Sequence, residues 1–172
     1  MWIFAFGSLM ADGWEKNFNS ISRCAAHLEG YSRSFAKRSV KNWGTKKNPG
    51  LTLILEPAAA QACHGFAFEF AGDNFEEKLR AYLRDREACD PTLVKLTLAD
   101  NRHIEANAYV YPGKNLLPAE TSLAEKRAII LKSGKGDKGT GIDYVRNAYH
   151  DLKGAGIADP VVTAMWDAVR NA

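Results

Sequence analysis

The 172-residue sequence predicts an α+β fold in which a small mixed or antiparallel β-barrel is flanked by helices. Three observations predict it. Strand-like segments fill the first part of the chain. One amphipathic helix interrupts them, and after Pro112 the pattern turns helical. No repeat and no linker divides the chain, so residues 1–172 read as a single domain.

The elements follow in order. Trp2–Phe6 is a short apolar run ended by Gly7-Ser8, as expected of a buried strand that opens into a loop. Arg23–Val40 spaces Leu28, Tyr31 and Phe35 through polar residues and reads as one or two strands. Lys41–Gly50 is dense in Gly, Asn and Pro and reads as a loop. Leu51–Leu55 is a strand that should stop at Glu56-Pro57. Over Gln61–Phe70 the residues alternate, with His64, Phe66, Phe68 and Phe70 on one face and Gly65, Ala67 and Glu69 on the other.

The period then changes. Phe75, Leu79, Tyr82 and Leu83 fit a helix over Asn74–Arg86, with Asp73 as N-cap and Glu76 closing a capping box. Leu93–Ala99 and His103–Tyr111 are two further strands, turned at Asp100-Asn101. Ser122 and Glu125 form a capping box that opens a helix to about Leu131. Glycines 134, 136, 139 and 141 punctuate a loop. Ile142, Val145, Tyr149 and Leu152 make the stripe of the next helix, which Gly154 and Gly156 end. Asp159 as N-cap and Pro160 at the first helical position start the last helix, with Val162, Met165, Trp166 and Val169 facing inward.

Composition narrows the function. The chain is 46% hydrophobic and 25% charged, an ordinary globular balance that argues against disorder. Its net charge of +3 is too small to call for nucleic acid by itself. Cys24, Cys63 and Cys89 form no C-x-x-C pair, so free thiols in a reducing cytoplasm are expected. The opening MWIFAFGSLMADG has no basic leader and reads as a strand, and no stretch approaches a membrane span. The four histidines lack metal-ligand spacing, so no metal is expected; no cofactor is expected either.

Several residues invite chemistry. Positions 75, 79, 83 and 87 step along one helical face as Phe, Leu, Leu and Glu. At a helix C-terminus, and if that face is buried, dipole and desolvation both disfavour the anion of Glu87. That suits a proton-shuttling group. The alternative is a helix frayed after Leu83, with Glu87 solvated. A strand that ends in Phe6-Gly7-Ser8-Leu9 exposes successive N–H groups able to cradle a carboxylate, or is an ordinary turn.

Other patterns are weaker. Gly134, Gly136 and Gly139 spell G-x-G-x-x-G, but no βαβ unit can follow, so the dinucleotide reading fails. The segment Arg33, Lys37, Arg38, Lys41, Lys46, Lys47 with Tyr31, Phe35 and Trp43 reads as a nucleic-acid stripe, a solvated loop, or an arginine anchor for a small anion. Cys63 and His64 point to opposite faces of a strand and cannot form a dyad. Ser8 lacks a G-x-S-x-G elbow.

Taken together the chain resembles the ChaC-like γ-glutamylcyclotransferases. The resemblance begins at MWIFAFGSLM, similar to the family's opening strand and Tyr-Gly-Ser-Leu loop. It runs through Gly30-Tyr31-Ser32-Arg33-Ser34-Phe35, Ser39, Gly44-Thr45, Pro49-Gly50-Leu51, Gly65, Tyr82-Leu83 and Arg86-Glu87. It ends with Gly141, Asp143-Tyr144-Val145, Asn147 and Gly156-Ile157-Ala158-Asp159. Nearly the whole chain is covered in order.

The resemblance implies a barrel flanked by helices and cleavage of a γ-glutamyl amide, typically in glutathione, to 5-oxoproline and Cys-Gly. It implies Glu87 as the catalytic carboxylate. It implies Phe6, Gly7, Ser8, Leu9, Arg33 and Tyr144 around the substrate. Phe6 stands where the family usually has tyrosine, so one hydroxyl is missing. Other γ-glutamyl amino acids or γ-glutamylamines are the alternative substrates. A non-catalytic anion- or RNA-binding module is the alternative of another class. The sequence does not define an oligomeric state.

Overall fold

The computed structural model describes residues 1–171, with side chains for all but residues 73–75. Its contacts divide into two compact units. One is Met1–Ser32 with Leu55–Pro112; the other is Arg33–Ile54 with the chain from Gly113 on.

Five strands form a closed barrel. Strands β1 (Trp2–Ala5), β2 (Ser20–Ser39), β3 (Gly50–Phe70), β4 (Thr92–Leu98) and β5 (His103–Ala108) join in the order β1-β3-β2-β4-β5, and β5 closes on β1. The β1–β5 pair is parallel, while β1–β3, β2–β4 and β4–β5 are antiparallel. The core is filled from alternate strand positions, with Phe4, Leu28, Leu55, Val94, Leu96 and Leu98 as its large members. β3 contributes small residues, Cys63 and Ala67, because Phe4 of β1 lies opposite Ala67. Gly65 belongs to this packing: a Cβ there would sit 2.3 Å from the Ala5 carbonyl oxygen. The phenylalanines on the other face of β3 are used too. Phe68 and Phe70 pack on Trp14, in a short 3-10 helix (Trp14–Phe18), with ring centroids 5.6 and 5.5 Å away.

Several boundaries differ from the sequence expectation. Arg23–Ser39 lies within one strand of 20 residues, which starts earlier, at Ser20, and ends before Val40. Leu51–Leu55 and Gln61–Phe70 are parts of one continuous strand through Pro57. Pro57 is exposed, where a proline is tolerated because its missing N–H is not needed inward. The last strand ends at Ala108, short of Tyr111. Helix α1 (Asp73–Glu87) has Gly72 as its N-cap, so Asp73 is the first helical residue. The side chains of Asp73 and Phe75 lie outside the described residues.

The second unit packs helices α2 (Leu123–Leu131), α3 (Gly141–Gly154) and α4 (Pro160–Val169) on one another through Ile130, Val145, Leu152, Val162, Met165 and Val169, all buried. The Ser122–Glu125 capping box is present, Thr140 and Asp143 form a second, and Asp159 caps α4 ahead of Pro160. Trp166 is half-buried rather than internal: its ring stacks on Tyr149 at 5.7 Å.

Candidate active site

The site is built from the end of α1. Leu79 and Leu83 are buried on the face that leads to Glu87, and the helix does not fray after Leu83. It runs through Glu87 and stops at Ala88, whose left-handed backbone (φ 57°) returns its N–H to the Arg84 carbonyl. The Glu87 side chain is 23% exposed. Glu87 is thus part of the helix and partly buried, between the two sequence alternatives.

The strand-end loop comes next. Ser8–Met10 forms one turn of 3-10 helix after Gly7, closed by the Met10 N–H on the Gly7 carbonyl at 2.9 Å. The first amides of such a turn have no acceptor within it. The turn is fastened from three sides. Trp14 Nε1 donates to the Leu9 carbonyl at 2.8 Å. Arg23 donates to the Met10 carbonyl at 3.2 Å while its guanidinium lies 3.7 Å from the centroid of Phe66. Arg86 donates to Ser8 Oγ at 3.2 Å. Phe6 is buried in the barrel core, its ring centroid 6.2 Å from that of Phe4.

Arg86 connects the two features. Its Nη2 lies 2.6 Å from Asp12 Oδ2, its Nη1 donates to the Tyr82 hydroxyl at 3.0 Å, and its Nε stands 3.5 Å from Glu87 Oε1. Hydrogen bonds and charge from Asp12 and Tyr82 outweigh desolvation and hold the guanidinium above its usual range. Ser8 and Glu87 are therefore brought into one cluster by the residue beside Glu87. The sequence reading quoted Arg86 only as part of a match and missed Asp12, Trp14 and Arg23 altogether. No spacing links these residues, since they meet only when the Ser8 turn meets α1.

Tyr109 lies just past the end of β5. It is 3% exposed, and burial raises its hydroxyl from 10.0 to about 12, with Cys89 and Glu87 acting in the same direction against Arg80 and Arg84. It is a neutral phenol at any physiological pH.

Arg33 and Tyr144 belong to the second unit, where each has partners. The Tyr144 hydroxyl accepts from the Leu53 N–H at 3.1 Å, and its ring lies between Phe35 at 6.3 Å and Trp43 at 5.3 Å. Arg33 is 2% exposed and pairs with Asp159 at 2.8 Å. That burial removes Arg33 from any exposed basic stripe.

The glycine loop has a packing explanation. Its backbone hydrogen-bonds the Lys41–Gly50 loop: Gly134 N–H to Asn48, Asp137 N–H to Lys41 and Lys138 N–H to Asn42, at 2.8–2.9 Å. A Cβ on Gly136 would lie 2.3 Å from the Lys41 carbonyl oxygen. Cys63 faces the barrel core while His64 is exposed, as a strand requires. Among the described residues no group of three His, Cys, Asp or Glu side chains is arranged to hold a metal, and no helix is long and apolar enough to cross a membrane.

A three-quarters-buried carboxylate beside a fixed cation can exchange a proton with a substrate atom, and a turn whose first amides have no acceptor within it can hold an anion. Comparison with known proteins gives the following similarities. The family model described as ChaC-like protein matches residues 1–172. The chain is similar to gamma-glutamylcyclotransferase 2-3 of Arabidopsis thaliana, 28% identical with 99% of this chain and 89% of the relative covered. It is similar to glutathione-specific gamma-glutamylcyclotransferase 1 of Danio rerio, 26% identical with 84% and 75% covered. In fold it is similar to the crystal structure of a yeast gamma-glutamyl cyclotransferase specific to glutathione, with TM-score 0.83, 19% identity and 99% and 96% covered.

Proposed function

The chain belongs to the ChaC-like protein family, and we propose that it is a γ-glutamylcyclotransferase that cleaves glutathione to 5-oxoproline and Cys-Gly. The observation that carries this reading is the match of the family model over residues 1–172. The glutathione specificity in the names of the zebrafish relative and the yeast enzyme supports the choice of substrate.

The reaction is intramolecular. The α-amine of the γ-glutamyl group attacks its own γ-carbonyl carbon, a five-membered ring closes, and the bond to the cysteinyl nitrogen breaks. The main task of the site is to hold the substrate folded, with amine and carbonyl in contact. The attacking amine must lose a proton and the leaving nitrogen must gain one. We assign both transfers to Glu87, whose partial exposure lets one carboxylate reach two substrate nitrogens in turn. Atoms balance without water: the proton taken from the attacking amine leaves on Cys-Gly.

The N–H groups of Gly7, Ser8 and Leu9 are assigned to the γ-glutamyl carboxylate or the tetrahedral oxyanion. Phe6 acts from the barrel core by setting where that turn begins. The family resemblance also assigns Tyr144 and Arg33 to the substrate, and in the second unit Arg33 is paired with Asp159. The reducing cytoplasm suits a glutathione-consuming protein that carries Cys24, Cys63 and Cys89 as thiols.

The test of substrate is a panel of glutathione, γ-glutamyl dipeptides and a γ-glutamylamine, with 5-oxoproline as the common readout. Turnover of glutathione well above the rest is expected. Preference for another member would move the assignment to that substrate.

A further inference from the structure

We propose that Arg86 and Asp12 form a positioning pair that fixes the Ser8 turn against Glu87, so that turnover depends on an ion pair neither of whose members touches substrate. The inference rests on the γ-glutamylcyclotransferase reading and adds to it a device inside the first unit. Four observations carry it. Arg86 is only 12% exposed, so its charge must be matched within the protein. Its partner Asp12 lies two residues past the Ser8–Met10 turn, at 2.6 Å. The same Nη2 that meets Asp12 donates to Ser8 Oγ at 3.2 Å. Its Nε faces the Glu87 carboxylate at 3.5 Å, and its Nη1 is held by Tyr82 one helical turn back.

One rigid, planar group thus touches the turn, the residue after the turn, the helix and the carboxylate. Lysine could supply the charge but not the fork, since a single ammonium cannot address Tyr82, Asp12 and Glu87 from three fixed directions. Asp12 does two things. It supplies the counter-charge that allows a buried guanidinium, and it ties the exit of the turn to α1. The other fastenings, Trp14 on the Leu9 carbonyl and Arg23 on the Met10 carbonyl, grip the turn itself, and the Trp14 ring stacks on Tyr82 of α1 at 6.3 Å. Ring closure is sensitive to misplacements of about 1 Å, which cost on the order of a hundredfold. A loosened turn should therefore lower kcat more than it raises KM.

The experiment measures turnover of glutathione and amide hydrogen exchange of residues 8–12 in wild type, Asp12→Asn, Arg86→Lys and the double variant. Both single variants should speed exchange in the turn and lower kcat by more than about tenfold, with KM changed less than about threefold. The double variant should lose little beyond the worse single one, because both act through one contact. Full kcat in either single variant, additive losses, or unchanged exchange in the turn would overturn the proposal while leaving the enzyme reading intact. A merely structural role would lower thermal stability in all three variants without the kcat–KM split. Wild-type protein inert on every γ-glutamyl compound would overturn the function itself and the positioning role with it.

Discussion

Arg33 and Asp159 stand 126 positions apart in the chain, yet Arg33 Nη1 lies 2.8 Å from Asp159 Oδ2 with both side chains largely buried. The other oxygen, Oδ1, accepts the Val162 N–H at 2.9 Å and caps α4. One carboxylate therefore starts a helix and neutralises a buried cation.

Asp159→Ala should remove both functions and destabilise the protein by about 3–5 kcal/mol, because it strands a buried guanidinium. Asp159→Asn should cost less, since its side-chain oxygen still caps α4. Urea unfolding checks the order. The same experiment bears on Arg33 as a ligand: Arg33→Met paired with Asp159→Leu should regain much of the lost stability. An unchanged KM for glutathione in that pair would confine Arg33 to holding α4.

Burial holds the Tyr109 hydroxyl at about 12, above its ordinary 10.0. A group whose pKa is raised by folding contributes stability that is complete below its unfolded value and is lost as pH rises through its folded value. Stability should therefore hold up to about pH 10 and fall between pH 10 and about 12. Tyr109→Phe should flatten that fall. Denaturant midpoints across this range, in both proteins, make the comparison.

Trp14→Phe keeps most of the ring surface against Phe68 and Phe70 but deletes the Nε1–H that satisfies the Leu9 carbonyl. Leaving that buried acceptor unmatched should cost about 1–3 kcal/mol. Hydrogen exchange localised to the Ser8 turn would show that the loss falls there.

Gly136→Ala places a Cβ 2.3 Å from the Lys41 carbonyl oxygen, a backbone atom that cannot swing away. Destabilisation of about 1–3 kcal/mol is expected, as in other overpacked sites. Gly154→Ala, where nothing lies within 4 Å, should be neutral or slightly stabilising. Thermal unfolding of the two variants distinguishes packing from loop flexibility as the reason for the glycine cluster.

What was legible in the sequence had a local cause. The cap at Asp159-Pro160, the Ser122–Glu125 box and the turn at Asp100-Asn101 are set by neighbouring residues, and each occurs where expected. The carboxylate at the end of an apolar stripe was visible as a pattern in α1, and the family resemblance supplied its use. What was not legible depended on distant contacts. Proline and exposed small residues made β3 look like two strands, because the pairing that keeps it continuous comes from other strands. Arg86, Asp12, Trp14 and Arg23 carry no periodic signal, so their grip on the Ser8 turn emerges only with the fold. Arg33 looked like part of a basic stripe because its partner Asp159 lies so far along the chain.

The central claim is that Glu87 moves the proton in ring closure of a γ-glutamyl substrate. The most direct measurement is product analysis of purified wild type and Glu87→Gln, each mixed with reduced glutathione. Release of 5-oxoproline and Cys-Gly by wild type, with nearly complete loss in a folded Glu87→Gln, is the predicted result. Glu87→Gln turning over at the wild-type rate would contradict it.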